Sequence, residues 1–377
     1  MPGSKLRPAA IVSLLLIAAV MQGCTNTKQE EYITIGALLP LTGEDSDEGL
    51  RALNGLQVAK DEINESGGIL GKKLDVIVLN DRGDEGYIVQ QYNALKEKGV
   101  AAIIGSSYSG VTTALAKAAE KDGIPIISPT ASDPDITVGR RNVFRAIFID
   151  DYQSDVMACF AYNSLKAKSA LVLINRDLPN YGRIAQMFTE SFKARGGTAE
   201  TEFFSGDGDF SAILKKYAAK QPDVIFCPEN FIPAAKLINT AHENGIKSYL
   251  LCSDAWDGLL AYINNPDAMK NVYYSTPFSF NDEDADVVKF VANYYGNYLQ
   301  LPVSSPAAAY ACVYILSEAI KITGNTSKDA IISAVKANEL DQIIGRIKFD
   351  QNNNPRTNVF IIQIDGGVYS TFEKLCL

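Results

Sequence analysis

The sequence predicts an α/β chain folded as two Rossmann-like lobes, each built on a parallel sheet. Short β-rich runs alternate with longer amphipathic segments, which is the pattern of βαβ units. The alternation occurs twice, and each run suffices for one lobe. The chain has 377 residues, too many for one hydrophobic core and suited to two domains.

The first run opens with residues 32–39 (YITIGALL), a β-rich stretch ended by Pro40. Residues 49–64 place Leu50, Leu53, Leu56, Val58, Ala59 and Ile63 at helical spacing. Strands are predicted at 73–79, 100–104 and 124–127, with helices at 87–98 and 110–121 between them. The second run predicts strands at 169–174, 200–204, 224–227 and 249–252 and helices at 181–195, 210–219 and 231–244. Residues 142–151 (NVFRAIFIDD) read as a crossover between the runs. Long helices at 285–299 and 306–323 follow, then closing strands at 345–349 and 359–364. The short all-apolar strands fit sheets covered on both faces.

The N-terminus reads as a secretory signal over residues 1–23. Lys5 and Arg7 precede an apolar run from Ala9 to Val20, too short for a stable membrane-spanning helix. Met21-Gln22-Gly23-Cys24 resembles a bacterial lipobox, in which the signal is cut before the cysteine and the thiol is acylated; Met21 departs from the usual Leu. Residues 24–31 then read as a lipidated tether. These features predict an extracytoplasmic protein of the cell envelope, held to the membrane only through lipid on Cys24.

Removing Lys5 and Arg7 leaves 33 basic against 44 acidic side chains, a net charge of −11. No basic stripe stands out, so nucleic acid is not an expected partner. Cys159, Cys227, Cys252 and Cys312 lie in apolar runs and Cys376 in the tail; they read as buried free thiols, with a disulfide among them left open because sequence cannot pair them. With a single histidine, His242, and no CxxC, no metal site is expected.

No catalytic constellation is visible and no cofactor is implied. Gly105-Ser106-Ser107-Tyr108-Ser109-Gly110 has the outer glycine spacing of a phosphate loop, but Val111 and Thr112 follow where Lys would be needed. GxGxxG after the first strand and GxSxG are both missing. His242 reads as a solvated residue at a helix C-terminus. Binding finds better support. Hydroxyl-rich loops, 105–110 and 128–134, follow two parallel strands at their carboxyl ends, where open α/β sheets bind ligands. Ser109 is expected to cap its helix, and a helix N-terminus flanked by hydroxyls suits a carboxylate.

Several motifs in order resemble the periplasmic leucine/isoleucine/valine-binding proteins, the type I solute-binding receptors of ABC importers. Pro40-Leu41-Thr42-Gly43 follows the first strand, and residues 62–73 (EINESGGILGKK) are close to a segment typical of that family. Ile103-Ile104-Gly105, Ile127-Ser128-Pro129, Phe144-Arg145, Tyr181-Gly182, Asp209-Phe210-Ser211 and Pro222-Asp223-Val224 come next. The resemblance runs from Tyr32 to about Ala311 and implies two lobes joined by a three-stranded hinge. Residues 32–148 with 278–342 would form one lobe, and 149–277 with 343–377 the other. A ligand would sit in the cleft, and the lobes would close over it like a flytrap.

Carried over residue by residue, Ser109 matches the serine that holds the ligand α-carboxylate. Thr130 and Ser132 match the second loop, which serves carboxylate and ammonium. Tyr181 matches a lid in the far lobe, and Asp254 an acid that pairs with the α-ammonium. A cation buried in a closed cleft needs such a carboxylate. Gly83 and Tyr108 stand where characterised members carry a disulfide, so that bridge is absent. Asn230 replaces a common aromatic. Glu48 falls where the family places a residue near the ligand side chain, although the preferred reading is a solvated helix residue. The resemblance implies an amino acid or analogue as ligand and an ABC permease as partner. Alternatives are a sensing subunit without transport, or an envelope enzyme on the same fold. A more polar pocket than leucine needs argues against branched-chain amino acids.

Overall fold

The computed structural model describes residues 32–43 and 46–375. The expected signal, Cys24, the tether and Cys376 lie outside the described residues.

The first lobe has a five-stranded parallel sheet in the order β2-β1-β3-β4-β5. Its strands are β1 (Tyr32–Leu39), β2 (Lys73–Asn80), β3 (Ile103–Gly105), β4 (Ile126–Ser128) and β5 (Val143–Arg145). Helices α1 (Ser46–Glu65), α2 (Glu85–Glu97) and α3 (Ser109–Ala119) make the crossovers. Alternate strand residues enter opposite cores: Ile104 and Ile127 pack on one face, Ile103 and Ile126 on the other. Being buried on both faces is why these strands read as unbroken apolar runs.

The second lobe contains α4 (Asp150–Cys159), β6 (Ser169–Asn175), α5 (Pro179–Ala194), β7 (Thr198–Phe204), α6 (Phe210–Tyr217), β8 (Val224–Phe226), α7 (Phe231–Glu243), β9 (Tyr249–Cys252) and β10 (Val272–Thr276). The chain then returns to the first lobe as α8 (Ala285–Tyr298), α9 (Ser304–Thr323), α10 (Lys328–Ala337), β11 (Leu340–Gln342), β12 (Gly345–Phe349) and β13 (Pro355–Arg356). It ends in a hairpin, β14 (Val359–Asp365) and β15 (Val368–Leu375), on the second sheet. That sheet has the order β15-β14-β10-β9-β8-β6-β7. Five of its strands are parallel, and the hairpin adds two antiparallel ones.

The lobes therefore exchange the chain three times. The last passage comes later than residue 342, because Ile343, Ile344, Ile347 and Phe349 pack in the first lobe's core. Asn353 Nδ2 also donates to the carbonyls of Arg140 (2.8 Å) and Val143 (3.1 Å), and the chain joins the second sheet only at Val359.

Much of the recognisable motif serves architecture. Gly68, with φ at +78°, sits where a Cβ would come within 2.0 Å of the Lys72 carbonyl oxygen, so only glycine fits this turn. Glu62 joins three helices by accepting from Asn293 Nδ2 (2.6 Å), Tyr310 Oη (2.8 Å), Tyr314 Oη (3.0 Å) and Lys289 Nζ (3.0 Å). Burial pushes its carboxyl up, but those donors outweigh it and hold it below the ordinary value. Cys159, Cys227, Cys252 and Cys312 are free thiols, the last three fully buried. His242 is exposed in the last turn of α7.

Candidate functional site

The strand order places sheet reversals beside β1 and β3 in one lobe and beside β6 and β8 in the other. Loops leaving the carboxyl ends of strands there form the two walls of a cleft.

On the first wall, loops 105–108 and 129–133 are bonded into one unit. The Ser106 hydroxyl donates to Asp81 Oδ2 (2.6 Å), and the Ser106 carbonyl accepts from Ser128 Oγ (2.7 Å) and Thr112 Oγ1 (3.0 Å). Asp81 is fully buried, and that burial pushes its carboxyl up. Thr130 Oγ1 donates to the Ser107 carbonyl (3.0 Å). Arg145, also fully buried, braces the second loop by donating to the carbonyls of Ala131 (3.0 Å) and Asp133 (2.6 Å). Burial pulls its guanidinium down to about 10.

Ser109 is the first residue of α3, and Tyr108 occupies the cap position. The expected capping role therefore passes from Ser109. Its hydroxyl instead accepts from the Asp133 N–H at 3.3 Å, linking the two loops. Tyr108 and Ser109 are both half-buried. Ser132 accepts the Asp150 N–H on its carbonyl at 3.1 Å, and its side chain partly offsets the burial that raises the Asp150 carboxyl.

On the second wall, Asp254 opens a 3-10 turn after β9. Its N–H donates to Gln153 Oε1 (3.1 Å), and Gln153 Nε2 donates to Asp150 Oδ1 (2.8 Å). Burial, with the charge of Asp150 adding to it, pushes the Asp254 carboxyl up to about 7. Tyr181, near the start of α5, donates its hydroxyl to Asn230 Oδ1 at 2.7 Å. Burial raises its phenol well above the ordinary value, and Asp254, Glu229 and Asp150 all add to the effect. Beneath Asn230, the fully buried Glu229 accepts from the Asn230 N–H (2.8 Å) and Asn175 Nδ2 (2.7 Å).

Glu48 departs from the solvated-helix reading. It is half-buried on the first turn of α1. Its carboxyl is raised by burial and is close enough to feel Arg51, Ser305, Asp257 and Thr130. Asp254 in turn feels Glu48 from the opposite lobe. Glu48 thus lies within electrostatic reach of Thr130 and Asp254, Tyr181 is bonded to Asn230 and feels Asp254, and Ser109 and Ser132 lie on the first-wall loops.

Sequence reading missed Asp150, Gln153, Arg51 and Asp257, as well as the bracing role of Arg145. Asp150 had a visible signal, as one of two acids ending the crossover. Asp254 and Asp257 bracket one short turn. Gln153 and Arg51 gave none, because each lies in an ordinary helix. Chemically, the cleft offers acceptors for a cation around Asp254 and Asp150, and hydroxyls and amides for an anion on the loops. No cluster of potential metal ligands occurs among the described residues. No helix among them is long and apolar enough to cross a membrane.

Two sheet lobes, three chain passages and a polar cleft walled by loops from both lobes define a solute-binding protein of type I periplasmic binding fold. The chain belongs to the periplasmic binding protein family, whose sequence model matches residues 32–368. Members of this family are extracytoplasmic solute-binding proteins. A relative in Rhizobium johnstonii, Leu/Ile/Val-binding protein BraC3, is 29% identical over 348 residues, covering 87% of this chain and 90% of its own. Among solved structures, the leucine-binding protein LivK of Thermotoga maritima superposes with a TM-score of 0.81 at 27% identity, covering 91% of this chain and 99% of that one. The branched-chain amino acid transporter substrate-binding protein LivJ of Streptococcus pneumoniae, solved with isoleucine, gives 0.82 at 26% identity, with 92% and 99% covered.

Proposed function

We propose that this chain is an envelope lipoprotein, anchored through Cys24, that captures an amino acid or close analogue between its lobes and delivers it to an ABC permease. What supports this reading is that the Ser109 and Thr130 hydroxyls tie the two first-wall loops together, while the Ser132 carbonyl accepts from Asp150, the same residue whose charge acts on Asp254. One wall offers hydroxyls and amides to an α-carboxylate. The other offers a half-buried carboxylate that is poorly solvated until a cation meets it. Tyr181, tied to Asn230, would cover the bound ligand. The isoleucine complex of the LivJ relative supports the ligand class.

A thermal-shift screen of amino acids and small carboxylates tests the reading. A true ligand at 100 times its dissociation constant stabilises the folded state by about 2.7 kcal/mol. No shift with any amino acid would defeat it.

A further inference from the structure

The cleft holds two charged side chains that an α-ammonium and an α-carboxylate leave unused. Glu48 and Arg51 lie one turn apart on the same face of α1. The helix is held there by backbone contact: a Cβ on Gly49 would come within 2.0 Å of the Pro40 carbonyl oxygen, and one on Gly55 within 2.0 Å of that of Pro306. Ser305 Oγ also donates to the Glu48 carbonyl at 3.3 Å. Arg51 reaches across to the far lobe, where its Nη1 lies 3.8 Å from the place a Cβ on Gly258 would take. Among the described residues its Nε is buried without a hydrogen-bond partner. Asp257, the acid directly before Gly258, is already engaged by Tyr274 Oη (3.2 Å), Thr276 Oγ1 (3.1 Å) and the Ser304 N–H (2.7 Å).

An acceptor and an unsatisfied donor of opposite charge thus stand side by side in the cleft. An aliphatic ligand end would desolvate both without replacing their water, which disfavours it. A cationic end would face Arg51, and an anionic end would face Glu48 and Asp257. A neutral group that both donates and accepts satisfies the pair. Resting on the amino-acid reading above, we propose that Glu48 and Arg51 determine specificity and select an amino acid whose side chain ends in a carboxamide. Its N–H would donate to Glu48 and its oxygen would accept from Arg51.

Titration calorimetry of the mature chain with glutamine, asparagine, leucine, isoleucine, lysine and glutamate tests this. Glutamine or asparagine is expected to bind at least tenfold more tightly than any of the others. Glu48→Leu should reverse the order in favour of leucine while its circular dichroism and melting temperature show a folded protein. Glu48→Gln should retain a weakened amide preference. Tighter binding of leucine, isoleucine, lysine or glutamate by the unaltered chain would overturn the inference and leave the amino-acid reading standing. An unchanged order in Glu48→Leu would do the same. Binding of no amino acid would remove both.

Discussion

Asp254→Asn should move affinity and stability in opposite directions. In the folded chain the Asp254 carboxyl titrates at about 7 against an ordinary 3.8, chiefly through burial and then through Asp150. A raised acid binds its proton more tightly when folded, so its contribution favours the folded state at low pH. That contribution declines as pH rises from about 4 through about 7. The whole difference corresponds to about 4 kcal/mol at most. The side chain is partly exposed, and solvent screening reduces this to about 2 kcal/mol. Replacing the acid by Asn removes that penalty, so the ligand-free variant should unfold at higher denaturant than the parent at pH 7.5, and by less than half that margin at pH 5. Glu48, Asp150 and Asp257 are raised by burial as well, so a residual slope of the same sign should persist. Ligand binding should suffer: an ammonium meeting a neutral amide loses about 2–5 kcal/mol, or roughly 30-fold and more in affinity. In the parent chain, affinity should fall by up to about tenfold per pH unit below pH 7, as Asp254 takes up its proton. Urea unfolding and calorimetry across pH 5–8 read both quantities. A variant less stable at pH 7.5 with unchanged affinity would refute the reasoning.

Three further outcomes follow from the same structure. Tyr181→Phe removes the hydroxyl bonded to Asn230 Oδ1 but keeps the ring, so affinity should fall by about 1 kcal/mol, mostly as faster release in stopped-flow measurements. Arg145→Met strips the fully buried brace from the Ala131 and Asp133 carbonyls and should cost about 3 kcal/mol in denaturant unfolding; a loss under about 1 kcal/mol would show that the loop holds itself. Cys24→Ala should shift the protein from the membrane fraction to the soluble one with ligand affinity unchanged, and retention on membranes would remove the lipid anchor.

The sequence alone determined the alternation of strands and helices, the two runs and the loops that carry hydroxyls, because periodicity, turn residues and caps are local properties. β9 and β12 occupy the expected 249–252 and 345–349. Local signals also have limits. β15 is an edge strand whose residues alternate between exposed and half-buried, so it presents no apolar run, and β10 and α10 likewise escaped the reading. The motif that made the family recognisable, residues 62–73, proved to be a glycine turn and a helix tie at Glu62, remote from the cleft chemistry. Tertiary structure decided what sequence spacing could not. Glu48 is half-buried because α1 packs backbone to backbone against Pro40 and Pro306. Gln153 and Asp150 meet Asp254 across about a hundred residues of intervening chain. Arg145 became a loop brace only when β5 came to lie beside β4. Burial and charge at each of these positions are set by what packs against them from distant parts of the chain, and a local pattern carries no record of that.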